Sequence, residues 1–487
     1  MVARRGSPPL PGLASGAADG DRHGDRTRDP EQPPQGNAKR SDSAFWWLWG
    51  GQLVSNLGTQ VSLYGLGLWL FQLQNQLLDF AAVAIVVQVA KILALPVVGP
   101  HLQHWRRRRV MVVANGLGAL GTLALAALLL TADRGRGAPG LLALLPLQGL
   151  AAAAEASLVL CFASLIPLLV PAGVARHRAN GLFAGSDGLV LIAAPFLGAW
   201  LVGIAGLRGV LVLDGLSFGL AMACVLLAPW PQTALGPATA PGQQDRGQPA
   251  SSWTQAPIRF GHDLASLWRD GALRRLALLG TAMAFVYGAT EVLFPAWVIT
   301  ALGHGRLGGA LVVGGLAYGL GLRFWLVHSP RVWGRTLASL LVIQSLALMG
   351  AGLVLFEGLI PFWYGGLGCF TLALPVCLAI VQSRWQQLVP APELPRLLAV
   401  RYALEWLARL AAFTGSALVV DRLLGPALAW PHWPNWLTAA LGTGPGRPMA
   451  VALGGLGWVL LLALVSQSLR PPGLGSPGLK SPERNQA

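Results

Sequence analysis

Six ionisable side chains stand inside long apolar stretches of this chain, and they are the first places to look for chemistry. They are Lys91, Glu155, Asp187, Asp214, Glu291 and Arg323. An ionisable group at the centre of a hydrocarbon-spanning helix costs about 2.5–3.5 kcal/mol on insertion scales. Such groups persist where they carry something or hold something. A carboxylate in apolar surroundings keeps its proton more tightly, and a neighbouring cation loosens it. A carboxylate that is protonated from one side and released to the other is what proton coupling requires. By depth in their stretches, Glu155 and Glu291 fit that role best. Lys91 is a plausible partner for Glu155, and Asp187 and Asp214 complete the set. A static ion pair that only ties helices together is the alternative at each position.

Uncharged polar residues point to a cavity. Gln52, Asn56 and Gln60 fall at i, i+4 and i+8, so they share one helix face. That face either lines a water-filled space or hydrogen-bonds to a neighbouring helix. Tyr287 lies four residues before Glu291 on another stretch. Trp297, with Trp69 and Trp325, is a candidate to stack on a lipophilic substrate, although belts at membrane interfaces are the commoner use. Arg323 completes the candidate lining. Arg401, Glu405 and Arg409 recur every four residues, the spacing of a salt-bridge ladder on one helix. His101 and His104 are three apart with no third ligand nearby, so no metal is expected.

The elements that must position these groups are helices long enough to cross a bilayer. The chain has 487 residues, 54% hydrophobic and 11% charged. Soluble domains carry about 25% charged residues. Apolar stretches of about 20 residues, the length that spans hydrocarbon, recur between residues 45 and 469. The first six are expected near 45–71, 80–99, 110–130, 141–170, 182–204 and 210–227. A Pro-, Gly- and Gln-rich linker follows, with a short amphipathic helix over 262–275. The second six are expected near 276–302, 308–327, 337–356, 361–381, 397–420 and 449–469, with a break at Gly425-Pro426.

The domains are therefore a cytoplasmic tail at 1–44, a bundle at 45–229, a linker at 230–275, a second bundle at 276–469 and a tail at 470–487. Residues 1–43 lack the apolar core of a signal peptide. The net charge of +15 is almost all arginine. It is concentrated in alternate connectors, at Arg106 to Arg109, Arg176 and Arg178, Arg246 and Arg259 to Arg275, Arg331 and Arg335, and Arg384 and Arg396. The other connectors carry only Arg134 and Arg136, Arg208, Arg306, Arg422 and Arg447. By the positive-inside rule the richer connectors face the cytoplasm, as do both termini. Trp430, Trp433 and Trp436 suit an interface. The four cysteines all lie in apolar runs and read as small core residues. Basicity broken up by lipid-compatible segments argues for topology control, with no nucleic-acid partner.

Residues 99–109 read Gly-Pro-His-Leu-Gln-His-Trp-Arg-Arg-Arg-Arg. This is similar to the connector between the second and third spans of the major facilitator superfamily. Gly99, Arg107 and Arg108 match, whereas Gln103 stands at the acidic position and His104 at the following arginine. Ile166 to Pro171 and Arg178 to Leu182 are similar to connectors of the macrolide and enterobactin exporter branch, as is Asp214 in Leu213-Asp214-Gly215-Leu216-Ser217-Phe218. Ala194-Pro195 and Gly198-Ala199 look like a weakened antiporter motif. Gln382 to Pro390 looks like the tenth-to-eleventh connector.

The resemblance implies an all-α integral membrane fold of about twelve transmembrane helices in two pseudo-symmetric six-helix bundles. It implies rocking alternating access and a gating connector at Gly99, Arg107 and Arg108. The function it implies is proton-coupled export of amphipathic small molecules of the drug or secondary-metabolite/siderophore class. The expected setting is the inner (plasma) membrane, as a monomer with lipid, substrate and protons as partners and no cofactor. An uptake carrier or facilitator on the same fold, a member without transport activity, and a permease driven by a separate ATPase remain open. The chain is no ATP motor itself, because a Walker A motif needs Gly-Lys and no Gly-Lys dipeptide occurs.

Overall fold

A computed structural model describes residues 35–74, 77–131, 141–231, 256–298, 300, 304–328, 333–353, 360–428 and 446–468. The expected tails beyond these limits, most of the linker, the arginines 134, 136, 246 and 331, and the tryptophans 430, 433 and 436 lie outside them. Among the described residues there is helix and no strand. The first half contains α1 (Gln35–Gln74), α2 (Leu77–His101), α3 (Arg107–Thr131), α4 (Leu141–Leu169) and α5 (Val174–Leu227). The linker ends in α6 (Ala256–Arg269). The second half contains α7 (Gly271–Trp297), α8 (His304–Val327), α9 (Trp333–Leu353), α10 (Ile360–Leu388) and α11 (Leu394–Leu418). It closes with the short turn α12 (Gly425–Leu428) and with α13 (Arg447–Ser468).

Among the described residues, nine segments are long and apolar enough by themselves to cross a membrane. α2 adds a shorter apolar stretch, Ile85–His101. The outer surface agrees. Leu316, Leu320 and Val327 on α8, Leu216, Leu220 and Leu227 on α5, and Trp458 and Leu462 on α13 are all exposed. Apolar side chains in such numbers on one belt fit lipid rather than water.

The two halves repeat. In the first, α1 packs on α5, α2 on α4, and α3 on α4 and α5. In the second, α7 packs on α11 and α13, α8 on α10, and α9 on α10 and α13. The same pairs recur one half later. Between the halves the symmetry also holds: α2 meets α11, and α5 meets α8 and α10.

Several boundaries differ from the sequence expectation, each for a local reason. α1 begins at Gln35, so the last residues of the expected tail are helical. The fifth and sixth spans are one 54-residue element, bent where Gly206 takes φ 64°. Left-handed backbone suits glycine, which has no Cβ to clash. The amphipathic helix ends at Arg269 rather than 275, because Asp270 caps the next helix. Its carboxylate accepts from the Ala272 and Leu273 N–H groups at 2.8 and 3.0 Å, a favoured N-cap arrangement. The Gly425-Pro426 pair does not break the chain. A π-helical turn, Val419–Leu424, runs into α12, where Pro426 occupies the first turn. Proline lacks an N–H, so the ladder that Gly425 continues by donating to the Val420 carbonyl loses one rung there.

Candidate functional site

The arginine-rich connectors sit at one end of the bundle and hold helix ends. Arg108 Nη2 donates to the Leu226 carbonyl at 2.8 Å, and Arg176 donates to those of Pro167 and Val170 at 3.0 and 3.1 Å. Arg178 Nε donates to the Leu326 carbonyl across the halves at 3.0 Å. Helix C-termini expose carbonyls with partial negative charge, which cations satisfy. Burial lowers the pKa of Arg176. Arg107 is buried, with Nε and Nη2 lacking a hydrogen-bond partner.

The two halves are closed against each other at this end. Gly99 lies so close to α11 that a Cβ there would collide with the Ala399 Cβ. Gln103 Nε2 donates to the Pro392 carbonyl at 2.7 Å. The residue that replaces the family's acid thus bridges the halves directly. On the other seam, Gly181 and Gly188 of α5 receive the Trp325 and Tyr318 rings of α8. Trp325 Nε1 donates to the His177 carbonyl at 2.9 Å, and the two rings stack at 3.6 Å. Burial, the largest effect, pushes the His177 pKa down to about 4, with Arg178 adding to it and the carbonyls of Trp325 and His328 opposing it. Asn180 Nδ2 donates to Ser383 Oγ and Gln386 Oε1, both at 2.9 Å. α6 joins the closure: Asp263 pairs with Arg396 at 3.4 Å. Burial raises the Asp263 pKa and Arg396 counters it.

Deeper in, α1, α4 and α5 surround a cavity of about 40 Å³. That is room for about two or three waters. Its wall carries Glu155, Asp187, Gln52 and Asn56, framed by Trp49, Phe162 and Phe183. Lys91 Nζ is 2.7 Å from Glu155 Oε1, and both side chains are nearly buried. Asn56 Nδ2 donates to Asp187 Oδ1 at 3.1 Å. Lys91 also stands over the Trp406 ring of α11, 5.8 Å from its centroid. In the second half Glu291 pairs with Arg409, which is within electrostatic reach of Asp187. Polar groups of opposite sign therefore face one another where the halves meet.

The structure brings some expected residues together and separates others. Gln52 and Asn56 line the cavity, whereas Gln60 is not part of its wall. Arg323 is exposed, on the face of α8 opposite Trp325 and among Leu316, Leu320 and Val327. A long arginine close to a helix end can reach past the lipid to the headgroups, so it belongs to the outer surface. Trp297 is 1% exposed and packs on Trp363 at 4.5 Å. It is core of the second half, not a stacking platform. Tyr287 donates to Gln344 Oε1 at 2.9 Å, also within that half. The Arg401 ladder stops after one rung: Arg401 pairs with Glu405 at 2.7 Å and donates to Gln382 at 2.6 Å, while Arg409 crosses to Glu291. Asp214 lies apart from the other carboxylates, among hydroxyl groups.

Sequence reasoning missed Trp49, which donates to Ser186 Oγ at 2.9 Å and pins α1 to α5. It also missed Trp406 beside Lys91. Neither carries a motif, and only packing distinguishes them from belt tryptophans.

Two repeated helical halves, with charged groups at their meeting line, suit a membrane transporter. The family model of the Major Facilitator Superfamily matches residues 48–413, and the chain belongs to that superfamily. No curated protein matches it in sequence. Among solved structures it is similar to a human organic anion transporter, MFSD10 (TETRAN), with 16% identity and a TM-score of 0.59, covering 89% of this chain and 100% of that one. It is similar to a bacterial homologue of the iron transporter ferroportin in an outward-facing state, with 15% identity and a TM-score of 0.64, covering 88% and 100%. It is also similar to the proton:xylose symporter XylE, with 13% identity and a TM-score of 0.63, covering 89% and 97%. At such identities the likeness concerns the fold.

Proposed function

We propose that this protein is a proton-coupled secondary exporter of amphipathic small molecules, of the drug or siderophore class. In this reading it works as a monomer in the inner (plasma) membrane, with both termini cytoplasmic. Residues 45–229 and 276–469 form its two moving bundles, and 230–275 the linker. The arginine-rich end is then cytoplasmic, and the closure at Gly99 and Trp325 makes the conformation outward-facing.

The observation that carries this reading is the wall shared by Glu155 and Asp187, with Lys91 bound to one of them. A proton reaching Glu155 through the water-sized cavity neutralises the carboxylate and frees Lys91. Lys91 also lies against Trp406 of α11, so a change at Glu155 is felt where the halves touch. Asp187 and the Glu291–Arg409 pair face the same seam and serve as second proton or substrate contacts. Trp49, Phe162 and Phe183 offer an aromatic surface for the apolar part of a substrate. Gly99, Arg107 and Arg108 form the gating connector.

The reading is tested by inverted membrane vesicles with an imposed pH gradient, screened with lipophilic dyes and with catecholate and hydroxamate chelators. The expected result is gradient-driven accumulation that collapses with a protonophore and needs no ATP. Accumulation that requires ATP, or none with any compound in either direction, contradicts it.

A further inference from the structure

Asp214 is 2% exposed in the second limb of α5, and among the described residues its side-chain hydrogen-bond partners are hydroxyl groups. These come from three helices. Thr59 Oγ1 of α1 and Ser217 Oγ are each 3.3 Å from Oδ1, and Thr122 Oγ1 of α3 is 3.4 Å from Oδ2. Those distances are long for a hydroxyl bonded to a carboxylate, which normally closes to about 2.5–2.7 Å. The protons explain why. Thr122 donates to the Gly118 carbonyl at 3.1 Å, and Ser217 donates to the Asp214 carbonyl at 2.7 Å. A hydroxyl has one proton, so each gives it first to the shorter carbonyl bond and reaches the carboxylate only through a long, weak contact. Ser62 Oγ is 2% exposed and lies beside the same carboxylate, outside normal hydrogen-bond geometry.

Hydroxyls held 3.3–3.4 Å away leave the carboxylate charge poorly compensated unless something positive stands among them. A buried ionised carboxylate also demands a counter-charge. One proton on Asp214 would satisfy a single hydroxyl and leave the rest. A hard cation satisfies all of them, and hard cations prefer oxygen donors. With one carboxylate, the charge it neutralises is a single one.

We propose that Asp214, Thr59, Ser62, Thr122 and Ser217 form a sodium-ion site in the first bundle. Gly58 serves it by leaving space: a Cβ there would stand 2.8 Å from Asp214 Oδ1. Thr59 belongs both to this site and to the wall of the Glu155 cavity, which gives the ion a route in. The site does not rest on the proton reading at Glu155.

The test uses the purified full-length protein in detergent at pH 8.5, melted in sodium chloride and in N-methyl-D-glucamine chloride at equal ionic strength. Sodium is expected to raise Tm along a saturating curve, as for any ligand that binds only the folded state. Thr122→Val is expected to raise the half-saturating sodium concentration by about tenfold, a loss of about 1.4 kcal/mol. Asp214→Asn is expected to abolish the response, and Glu155→Gln to keep it. Identical melting of the wild type in the two salts overturns the proposal. So does a sodium response unchanged in Thr122→Val and Asp214→Asn.

Discussion

Lys91 Nζ and Glu155 Oε1 lie 2.7 Å apart on neighbouring helices of the first bundle, and the same lysine rests on Trp406 of the second. One side chain thus joins a buried carboxylate to the partner half. If that linkage couples protons to movement, each of its members should be separable by mutation.

Removing one partner of a buried ion pair leaves an uncompensated charge and costs about 3–5 kcal/mol, whereas replacing both with apolar groups is often neutral. Lys91→Met alone should therefore lower the melting temperature of the detergent-solubilised protein sharply. Lys91→Met combined with Glu155→Leu should recover most of it while abolishing gradient-driven transport. Thermal melting and vesicle transport on the same samples check both parts.

Glu291→Gln leaves Arg409 charged and without its carboxylate. Transport driven by a pH gradient should fall about tenfold or more with membrane insertion intact. The swap Glu291→Arg with Arg409→Glu should restore stability more than activity, because it preserves attraction but moves the carboxylate. Expression level, melting and initial transport rate separate the two effects.

Gly99 and Gly181 admit the opposite half at van der Waals range. A larger side chain at either position should prevent closure of the arginine-rich end and trap the other conformation. In Gly181→Leu, spin labels on the α5 and α8 ends should report a longer mean distance than in wild type. An unchanged distance distribution contradicts the role of these glycines.

His177 supplies a pH dependence. Its pKa is pushed down to about 4 where it is buried against Trp325, from an ordinary value near 6.5. A histidine with a depressed pKa binds fewer protons in the closed state than in an exposed one. Its contribution to closure is fully present above about pH 6.5 and is lost as pH falls toward 4. The same spin-label pair should lengthen on acidification in wild type and respond less in His177→Phe.

How much of this was legible in the sequence follows from the range of each interaction. Among the described residues, nine of the twelve expected spans were legible, because hydrocarbon demands runs of apolar residues regardless of tertiary context, and arginine-rich connectors mark many of their ends. The bend at Gly206 and the cap at Asp270 were harder, since each depends on the conformation of a few residues. The Lys91–Glu155 pair was reachable because two rare charges stood in spans of one half. Arg323 was misplaced because depth along a helix says nothing about which side faces lipid. Trp297 was misplaced for the same reason. The hydroxyl cluster around Asp214 was hidden, since Thr59, Ser62, Thr122 and Ser217 meet only when α1, α3 and α5 pack.

Proton movement itself is the most direct measure of the coupling assigned to Glu155. Proteoliposomes holding an imposed pH gradient and a trapped pH-sensitive dye should lose part of that gradient when a transported compound is added. Wild-type protein should give this signal, and Glu155→Gln should give none while still reconstituting. Equal gradient loss in Glu155→Gln, or transport by wild type without any proton movement, would contradict the account.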